Sequence, residues 1–316
     1  MPPVDVGPGT GPLLPGLAAH PRGSAILGAV FIAFSGIIFR LSGVAPTTAT
    51  FWRCAIAAAP LWILGRVEDR RFGPRTRRER TWAVVAGLFF AADLQCFHYG
   101  VTLVGAGLGT VLPNLQVVVV ALATWMLFGE RPAPRLLIAI PIVLGGVVLI
   151  SGVLDEAAYG DDPVAGAILG AAAGGFYAGF LLIMRRVNRD RRRSAGPLAD
   201  ATVTTALAVV PVGLLLGSLD LAPSPVDLAW LALLALTSQV LGYLFITVSL
   251  PRLPAAVASV LLFVQPVGTL VFAAFLLDER PSPLQLAGVA LVLGGVAVAA
   301  VPLRRRARGP AIPADL

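Results

Sequence analysis

The chain has 316 residues, of which 57% are apolar and 13% charged, and its mean hydropathy is +0.85. This composition leaves too little polar surface to cover a water-soluble domain, so it indicates a polytopic membrane protein. The net charge of +7 lies between the apolar segments, which argues against nucleic-acid binding and favours a signal for membrane orientation.

Ten apolar segments follow one another along the chain, each near the length needed to cross about 30 Å of hydrocarbon as a helix. They lie at 24–42, 46–65, 82–103, 106–128, 134–153, 164–186, 198–217, 226–249, 253–276 and 284–302. The sequence therefore predicts an all-α polytopic membrane protein with ten transmembrane helices. Residues 1–23 are predicted to form a disordered cytoplasmic tail, and residues 304–316 a basic cytoplasmic tail.

The charge of the connections alternates along the chain. Arginines follow the second, fourth, sixth and eighth segments, whereas acids follow the fifth and the seventh, including Asp155, Glu156, Asp161 and Asp162. Because arginine-rich loops stay on the cytoplasmic side, this pattern predicts that both termini are cytoplasmic in a multi-pass protein of the plasma (cell inner) membrane.

The second half of the chain repeats the first. The stretch at 105–153 matches the stretch at 254–302, so that Gln116 falls on Gln265 and Glu130 falls on Glu279. The predicted repeats are 24–153 and 164–303, joined by an extracytoplasmic linker at 154–163. Since each repeat has five segments, the second enters from the opposite side and the halves are inverted repeats, an arrangement found in secondary transporters.

Several phrases in these repeats resemble a known family. MLFGERP and LLDERP, the pair Gln265 and Pro266, and the run Phe51, Trp52, Arg53 look like the two EamA repeats of the drug/metabolite transporter superfamily. The resemblance covers about 24–303 and implies two inverted five-helix EamA repeats around a pathway lined mainly by the first, third, fourth, sixth, eighth and ninth helices. It also implies secondary transport of a small organic solute, most often export, without naming the substrate.

The third segment holds the densest polar cluster of any segment. Asp93 is expected about 16 Å deep at a rise of 1.5 Å per residue, where a carboxylate is costly unless it is protonated, paired or hydrated. Two alternatives stay open: an acid for proton coupling or substrate contact, and a structural ion pair with Arg53. Gln95, His98 and Tyr99 share another face of the helix, where His98 suits either proton transfer or a satisfied interfacial position.

Other polar residues are expected either to line the pathway or to hydrogen-bond one helix to another. They are Ser35, Asn114, Gln116, Tyr177, Gln239, Tyr243 and Gln265.

Glu130 and Glu279, in the turns after the fourth and ninth segments, are interpreted as structural residues. Each is expected to cap the following helix and to pair with the neighbouring arginine. Asp200 is similarly interpreted as the N-terminal cap of the seventh helix. The glycine pairs at 145–146 and 294–295 permit close helix approach, including at a homodimer surface.

These patterns favour a secondary active transporter that moves an amino acid, amine, metabolite or drug-like compound by alternating access, as a proton-linked exporter. The expected partners are a small-molecule substrate, the lipid bilayer and protons, with no cofactor, no metal and no nucleic acid. The GAGLG run at 105–109 lacks the GxGxxG spacing, so it does not indicate nucleotide hydrolysis. The alternatives are a facilitated carrier or importer, a non-transporting membrane scaffold or partner subunit, and an integral-membrane enzyme acting on lipid-linked substrates, which would need clustered acids or histidines.

Overall fold

The computed structural model describes residues 19–128, 134–187, 193, 195–249, 252–253, 261 and 263–300. In the described part of the first half, every regular secondary-structure element is a helix. These are α1 (Pro21–Ala33), α2 (Ser35–Ser42), α3 (Pro46–Phe72), α4 (Arg77–Val104), α5 (Ala106–Val111), a 3₁₀ turn (Leu112–Leu115), α6 (Gln116–Phe128) and α7 (Pro134–Ile150).

The described residues of the second half form a matching series. They comprise α8 (Pro163–Val187), α9 (Ala195–Leu215), α10 (Pro225–Leu234), a π-helical segment (Ala235–Gly242), α11 (Tyr243–Ser249), α12 (Val264–Leu276) and α13 (Pro283–Ala300). Within the described residues there is no β-strand, so the predicted all-α class is confirmed there.

Among the described residues, five helical stretches are long and apolar enough to cross a membrane. They are Pro21–Ser42, Arg77–Val104, Pro163–Met184, Ala195–Leu215 and Pro225–Ser249, and shorter apolar helices cover Ala106–Val120, Pro134–Ile150, Val264–Leu276 and Pro283–Ala299. A chain with this many apolar helices is a multi-pass membrane protein.

Local sequence accounts for several helix boundaries. Proline occupies the first turn of α1, α3 and α10, where its missing N–H is not needed. Thr76 and Glu79 form a reciprocal capping box at the start of α4. Pro113 lies in the 3₁₀ turn that separates α5 from α6, and the side-chain amide of Asn114 donates to the carbonyl oxygens of Thr110 and Val111 beside this break (both 3.0 Å).

Two helices extend beyond the predicted apolar segments at one end of the molecule. α3 continues past residue 65 to Phe72, and α4 begins at Arg77, before residue 82. Charged side chains stabilise these extensions, because Asp69 accepts from Arg75 Nε (3.3 Å) and Arg193 Nη1 (3.2 Å). Hydropathy alone ends a segment at the first charges, whereas these charges satisfy one another in the folded chain.

Helices of one half pack against helices of the other. α3 packs on α9, α4 on α8, α5 on α12, α7 on α13, and α1 on the π-helical segment and α11. A repeat-related axis would produce this set of pairs, since the partners exchange when the two halves are exchanged. The positions of the residues between the halves therefore depend on how the two repeats pack together.

Close approach of α7 and α13 depends on one glycine from each predicted pair. A Cβ on Gly146 would lie 2.7 Å from the Gly288 carbonyl oxygen, and one on Gly295 would lie 2.6 Å from α7. Gly145 and Gly294 have no atom within 4 Å of such a Cβ. Half of each pair is thus used for packing within the chain.

Candidate functional site

A cavity of about 210 Å³ lies between the two halves. The first half contributes Ile32, Ser35, Arg53, Asp93, Leu94, Phe97, Thr110, Pro113, Asn114, Gln116 and Val117 to its wall. The second half contributes Tyr177, Leu181, Tyr243, Ile246, Phe263, Gln265 and Val296. The wall combines nine apolar residues with nine that carry polar groups, and these groups converge on one space, as expected of a ligand-binding cavity.

The cavity separates the predicted pathway residues into two groups. Those that line it are Ser35, Arg53, Asp93, Asn114, Gln116, Tyr177, Tyr243 and Gln265. Those that lie outside its wall are Gln95, His98, Tyr99 and Gln239.

Arg53 of α3 is a buried cation held by neutral acceptors. Its Nε donates to Gln239 Oε1 (3.0 Å) and its Nη1 donates to Ser35 Oγ (2.9 Å). Gln239 is itself oriented, because its Nε2 donates to Thr202 Oγ1 (3.2 Å). Gln239 belongs to the π-helical segment, a type of helix distortion that often occurs at functional sites. Gln239 and Ser35 thus fix the orientation of the guanidinium. Among the described residues, no carboxylate forms an ion pair with it.

Asp93 of α4 is the cavity's carboxylate. It is 5% exposed, and among the described residues it has no hydrogen-bond or ion-pair partner. The Arg53 guanidinium bonds elsewhere, so the direct ion pair considered from the sequence is not formed in this structure. The cavity therefore holds one positive and one negative group that do not neutralise each other by direct contact.

The side-chain amides of the cavity differ in whether their polar atoms form hydrogen bonds within the protein. The Asn114 Nδ2 donates hydrogen bonds to the carbonyl oxygens of Thr110 and Val111 at the helix break before it. Gln116 Oε1 is buried and has no hydrogen-bond partner among the described residues. A buried acceptor without a partner is unusual in a folded protein, and it is satisfied when a ligand or water supplies a donor.

Gln95 and His98 face the start of α3 instead of the cavity. Thr50 Oγ1 lies 2.9 Å from Gln95 Oε1 and 2.7 Å from His98 Nδ1, and Gln95 Nε2 donates to Thr47 Oγ1 (3.0 Å). Thr50 Oγ1 also lies 2.9 Å from the Pro46 carbonyl oxygen, so several neighbours share its single hydroxyl proton. The imidazole is fully buried, and its Nε2 has no hydrogen-bond partner among the described residues.

Tyr99 continues this network towards the loop after α9. Its hydroxyl donates to Ser218 Oγ (3.4 Å), and Ser218 Oγ donates to Thr47 Oγ1 (3.0 Å). Nearby, the Asp220 N–H donates to Thr48 Oγ1 (2.8 Å). The polar face that the sequence places opposite Asp93 therefore joins α4, α3 and the end of α9 into one hydrogen-bonded unit.

Glu279 is a buried cap, but of a different helix from the one expected. The N–H groups of Ala106 and Gly107 donate to its Oε1 (2.6 Å) and Oε2 (2.9 Å), so it caps α5 of the first half. Gly105, with a φ of +89°, precedes this cap, and a Cβ there would lie 2.9 Å from the carboxylate. The expectation that Glu279 caps the following helix fails because α12 packs on α5. Glu130 lies outside the described residues.

Glu68 makes an equivalent cap that sequence reasoning missed. The N–H groups of Ala195 and Gly196, at the start of α9, donate to Glu68 Oε1 (2.9 Å) and Oε2 (2.8 Å). Asp200 is not the cap of this helix, because α9 begins at Ala195, and its carboxylate instead accepts from Arg75 Nη1 (2.7 Å). One signal in the sequence could have pointed to this cap, because Glu68 lies between arginines directly after the second apolar segment.

Gln285 is a second missed residue, fully buried near the start of α13. Its Oε1 accepts from the N–H groups of Tyr159 (2.8 Å) and Ser282 (3.0 Å), and its Nε2 donates to the carbonyl oxygens of Ile150 (3.2 Å) and Tyr159 (3.1 Å). Burial, together with the nearby Glu279 carboxylate, raises the pKa of the Tyr159 hydroxyl. Gln285 thus joins the end of α7 to the start of α13.

The structure places no cluster of three or more histidine, cysteine, aspartate or glutamate side chains that could hold a metal ion within the described residues.

Comparison with known proteins agrees with this arrangement of two halves around a cavity. The EamA-like transporter family matches residues 23–152 and again 164–301. A protein named uncharacterized transporter YwfM, from Bacillus subtilis (strain 168), is 24% identical over 235 residues, which cover 72% of this chain and 77% of that protein. One solved crystal structure shares the fold at 18% identity, with a TM-score of 0.59 over 88% of this chain and 97% of that chain. Two family matches that together span most of the chain, each falling on one half of the bundle, show that this protein belongs to the EamA-like transporter family.

Proposed function

We propose that this protein is a secondary active transporter that exports a small organic solute across the plasma membrane in exchange for protons. The observation that carries the proposal is Asp93, a carboxylate without a partner among the described residues, in a cavity between two halves of a transporter-family fold. Ionisable groups buried within a membrane are costly, and they commonly mark substrate and proton pathways.

The cavity residues Ser35, Arg53, Asp93, Asn114, Gln116, Tyr177, Tyr243 and Gln265 form the proposed substrate pathway. Because both halves contribute to it, rocking one half against the other would open the cavity alternately to the two sides of the membrane. A volume of about 210 Å³ favours a solute below the size of those that fill drug-binding pockets of roughly 300–1,000 Å³.

The proposed topology has ten membrane crossings with both termini in the cytoplasm. It is supported by the ten apolar segments and by the arginines that follow every second one. The outward-facing glycines Gly145 and Gly294 offer a surface for a homodimer, since a Cβ at either position would meet no atom of the described residues within 4 Å.

Proton coupling is assigned to Asp93. The titratable and charged groups that share its cavity are Arg53, Tyr177 and Tyr243. Substrate and proton would compete for the Asp93 carboxylate, so that a proton entering from outside displaces the exported solute. Gln95, His98 and Tyr99 are proposed to fix α4 against α3, because their side chains bond to Thr47, Thr50 and Ser218 and not to the cavity.

The test is transport by the purified full-length protein in proteoliposomes under an imposed pH gradient. A pooled library of amino acids, amines and other metabolites is followed by mass spectrometry for wild type, Asp93→Asn, and the control Glu79→Gln. Glu79 is a carboxylate on the same helix but outside the cavity wall. We expect Asp93→Asn to lower gradient-driven movement at least about tenfold, equivalent to ~1.4 kcal/mol, while exchange at saturating solute continues and the control is unchanged. If wild type moves the same solutes equally well without a gradient, the protein is a facilitated carrier.

A further inference from the structure

We infer that the cavity recognises a zwitterion, namely an amino acid with an apolar side chain, whose carboxylate binds Arg53 and whose ammonium group binds Asp93. This inference rests on the proposed function, because it names the substrate class of the same cavity. Four observations carry it. They are the charges in the wall, the hydrogen bonds that orient Arg53, the acceptors of Asp93 and Gln116 that have no partner among the described residues, and the apolar side chains of the wall.

The charge balance decides between substrate classes. The described wall contains one guanidinium, Arg53, and one carboxylate, Asp93, and they are not in direct contact. An amine would neutralise Asp93 and leave Arg53 uncompensated, whereas a simple acid would do the reverse. Burying an unpaired charge is expensive, so only a ligand with both charges satisfies the cavity completely.

Arg53 is positioned as a carboxylate anchor. A guanidinium has five N–H donors, and among the described residues Gln239 engages Nε, Ser35 engages Nη1, and the other donors have no partner. The remaining donors suit the two oxygens of a carboxylate, which arginine binds in a planar fork. Because Gln239 is held in turn by Thr202, the guanidinium is oriented before the ligand arrives, which lowers the entropic cost of binding.

Acceptors for an ammonium group are available in the same wall. A primary ammonium has three N–H donors and no acceptor. Asp93 offers carboxylate oxygens that have no partner among the described residues, and Gln116 Oε1 is buried and equally unpartnered. The two are contributed by α4 and α6, on the first-half side of the cavity.

The apolar half of the wall bears on the side chain of the ligand. Leu94, Phe97, Leu181, Ile246 and Phe263 are apolar, so they favour an apolar side chain over a sugar or a phosphate. The volume of about 210 Å³ suits one amino acid and is small for a nucleotide-linked metabolite.

The experiment measures equilibrium binding to the purified full-length protein in detergent, with no gradient. The probes are two matched series: leucine, 3-methylbutan-1-amine and 4-methylpentanoate, then phenylalanine, 2-phenylethylamine and 3-phenylpropanoate. Each amine lacks only the carboxylate, and each acid lacks only the ammonium group. We expect at least one amino acid to bind at least about tenfold more tightly than both of its analogues, a difference of ~1.4 kcal/mol.

Variants assign the two charges. In Asp93→Asn, the amino acid should lose its advantage over the acid analogue, to within about twofold, while keeping its advantage over the amine. Arg53→Gln should show the opposite pattern, provided that its melting temperature matches wild type, and Asp93→Asn alone suffices if it does not. Tyr99→Phe, outside the cavity wall, should retain the wild-type ranking.

Three results would overturn the inference: an amine or acid that binds as tightly as its amino acid, no binding of either amino acid, or an equal loss for all three ligands in Asp93→Asn. Binding of an amino acid without gradient-driven transport would leave the inference intact and contradict only the proposed proton-linked export. Gradient-driven transport of an amine or an acid would support the proposed function and contradict the inference.

Discussion

Asp93 lies on α4 within two helical turns of Gln95, His98 and Tyr99, yet the surroundings of these residues differ completely. Asp93 borders the cavity and has no partner among the described residues. Gln95 and His98 are bonded to threonines of α3, and Tyr99 to Ser218. The same helix thus carries one polar face that borders the cavity and another that is bonded to neighbouring segments, although His98 Nε2 on the second face also has no partner among the described residues.

The comparison extends to the whole bundle. The frame around the cavity contains buried polar residues whose bonds join separate helices, such as Glu68, Glu279 and Gln285. The cavity contains Arg53, Asp93 and Gln116, which retain hydrogen-bond donors or acceptors that can bind a ligand. Polarity inside a membrane bundle does not by itself indicate a pathway, because a polar group whose bonds are complete holds the fold together. Substitutions should therefore separate the two regions, with frame residues affecting stability and cavity residues affecting transport.

The largest loss of stability is expected for Glu279→Ala. The substitution removes two hydrogen bonds to a buried carboxylate and leaves the N–H groups of Ala106 and Gly107 without it. At ~1.5–3 kcal/mol for each bond to a charged group, the free energy of unfolding should fall by about 3 kcal/mol or more. Denaturant unfolding in detergent measures this loss.

Glu79→Ala is the matched control, since Glu79 belongs to an exposed cap and should cost only about 1 kcal/mol. A loss for Glu279→Ala no greater than that of the control would contradict the separation of frame from surface.

A smaller loss, about 1–3 kcal/mol, is expected for Thr50→Val. The hydroxyl of Thr50 is shared by Gln95 and His98, and valine keeps the shape while removing that partner. Thr204→Val is the control, because Thr204 bonds only to a carbonyl oxygen of its own helix. The KM for transport should stay within about twofold of wild type, since these residues lie outside the cavity wall. A large change in KM without a change in stability would place the Gln95 and His98 face in the pathway.

Asp93→Asn should not reduce stability, even though it is expected to lower gradient-driven transport at least about tenfold. Asparagine removes a buried negative charge that has no partner among the described residues, so the free energy of unfolding should stay within about 0.5 kcal/mol or rise. The same unfolding measurement tests this sign. Destabilisation of about 3 kcal/mol, the usual cost of breaking a buried ion pair, would instead show that Asp93 is a structural partner of Arg53.

The smallest effect on stability, within about 0.5 kcal/mol, is expected for Gln116→Leu. Its Oε1 has no partner, so leucine removes no bond to that atom. The KM should rise about fivefold, which corresponds to one lost hydrogen bond of ~1 kcal/mol to the substrate. Gln285→Leu, the same substitution at a frame amide with four bonds, should destabilise the protein strongly. Equal stability of the two variants would remove the distinction between the regions.

The sequence predicted the helices more reliably than the contacts of their polar side chains. Apolar segments identified the helical stretches, but they ended the second segment at residue 65 because Arg66 and the charges after it look like a solvated loop. In the structure α3 runs on to Phe72, and Glu68 is buried as the cap of α9. The partner of Glu68 comes from the other repeat, so no local pattern could reveal it.

Helix rotation explains the rest of the difference. The spacing of Gln95, His98 and Tyr99 showed that they share a face, and the position of Asp93 showed that it lies on another. Which face borders the cavity depends on how α4 packs against α3 and α8, and this is a property of the assembled bundle.

The sequence by itself determined the membrane class, the helical segments, the duplication and the family, because apolar length and repetition are properties of continuous stretches of chain. Only the tertiary structure decided which polar groups are satisfied and which remain open. Ala106 and Glu279 are 173 residues apart, and Arg53 and Gln239 are 186 apart. Such bonds form only when the two repeats pack together, since hydrogen bonding requires contact in space and not proximity in sequence.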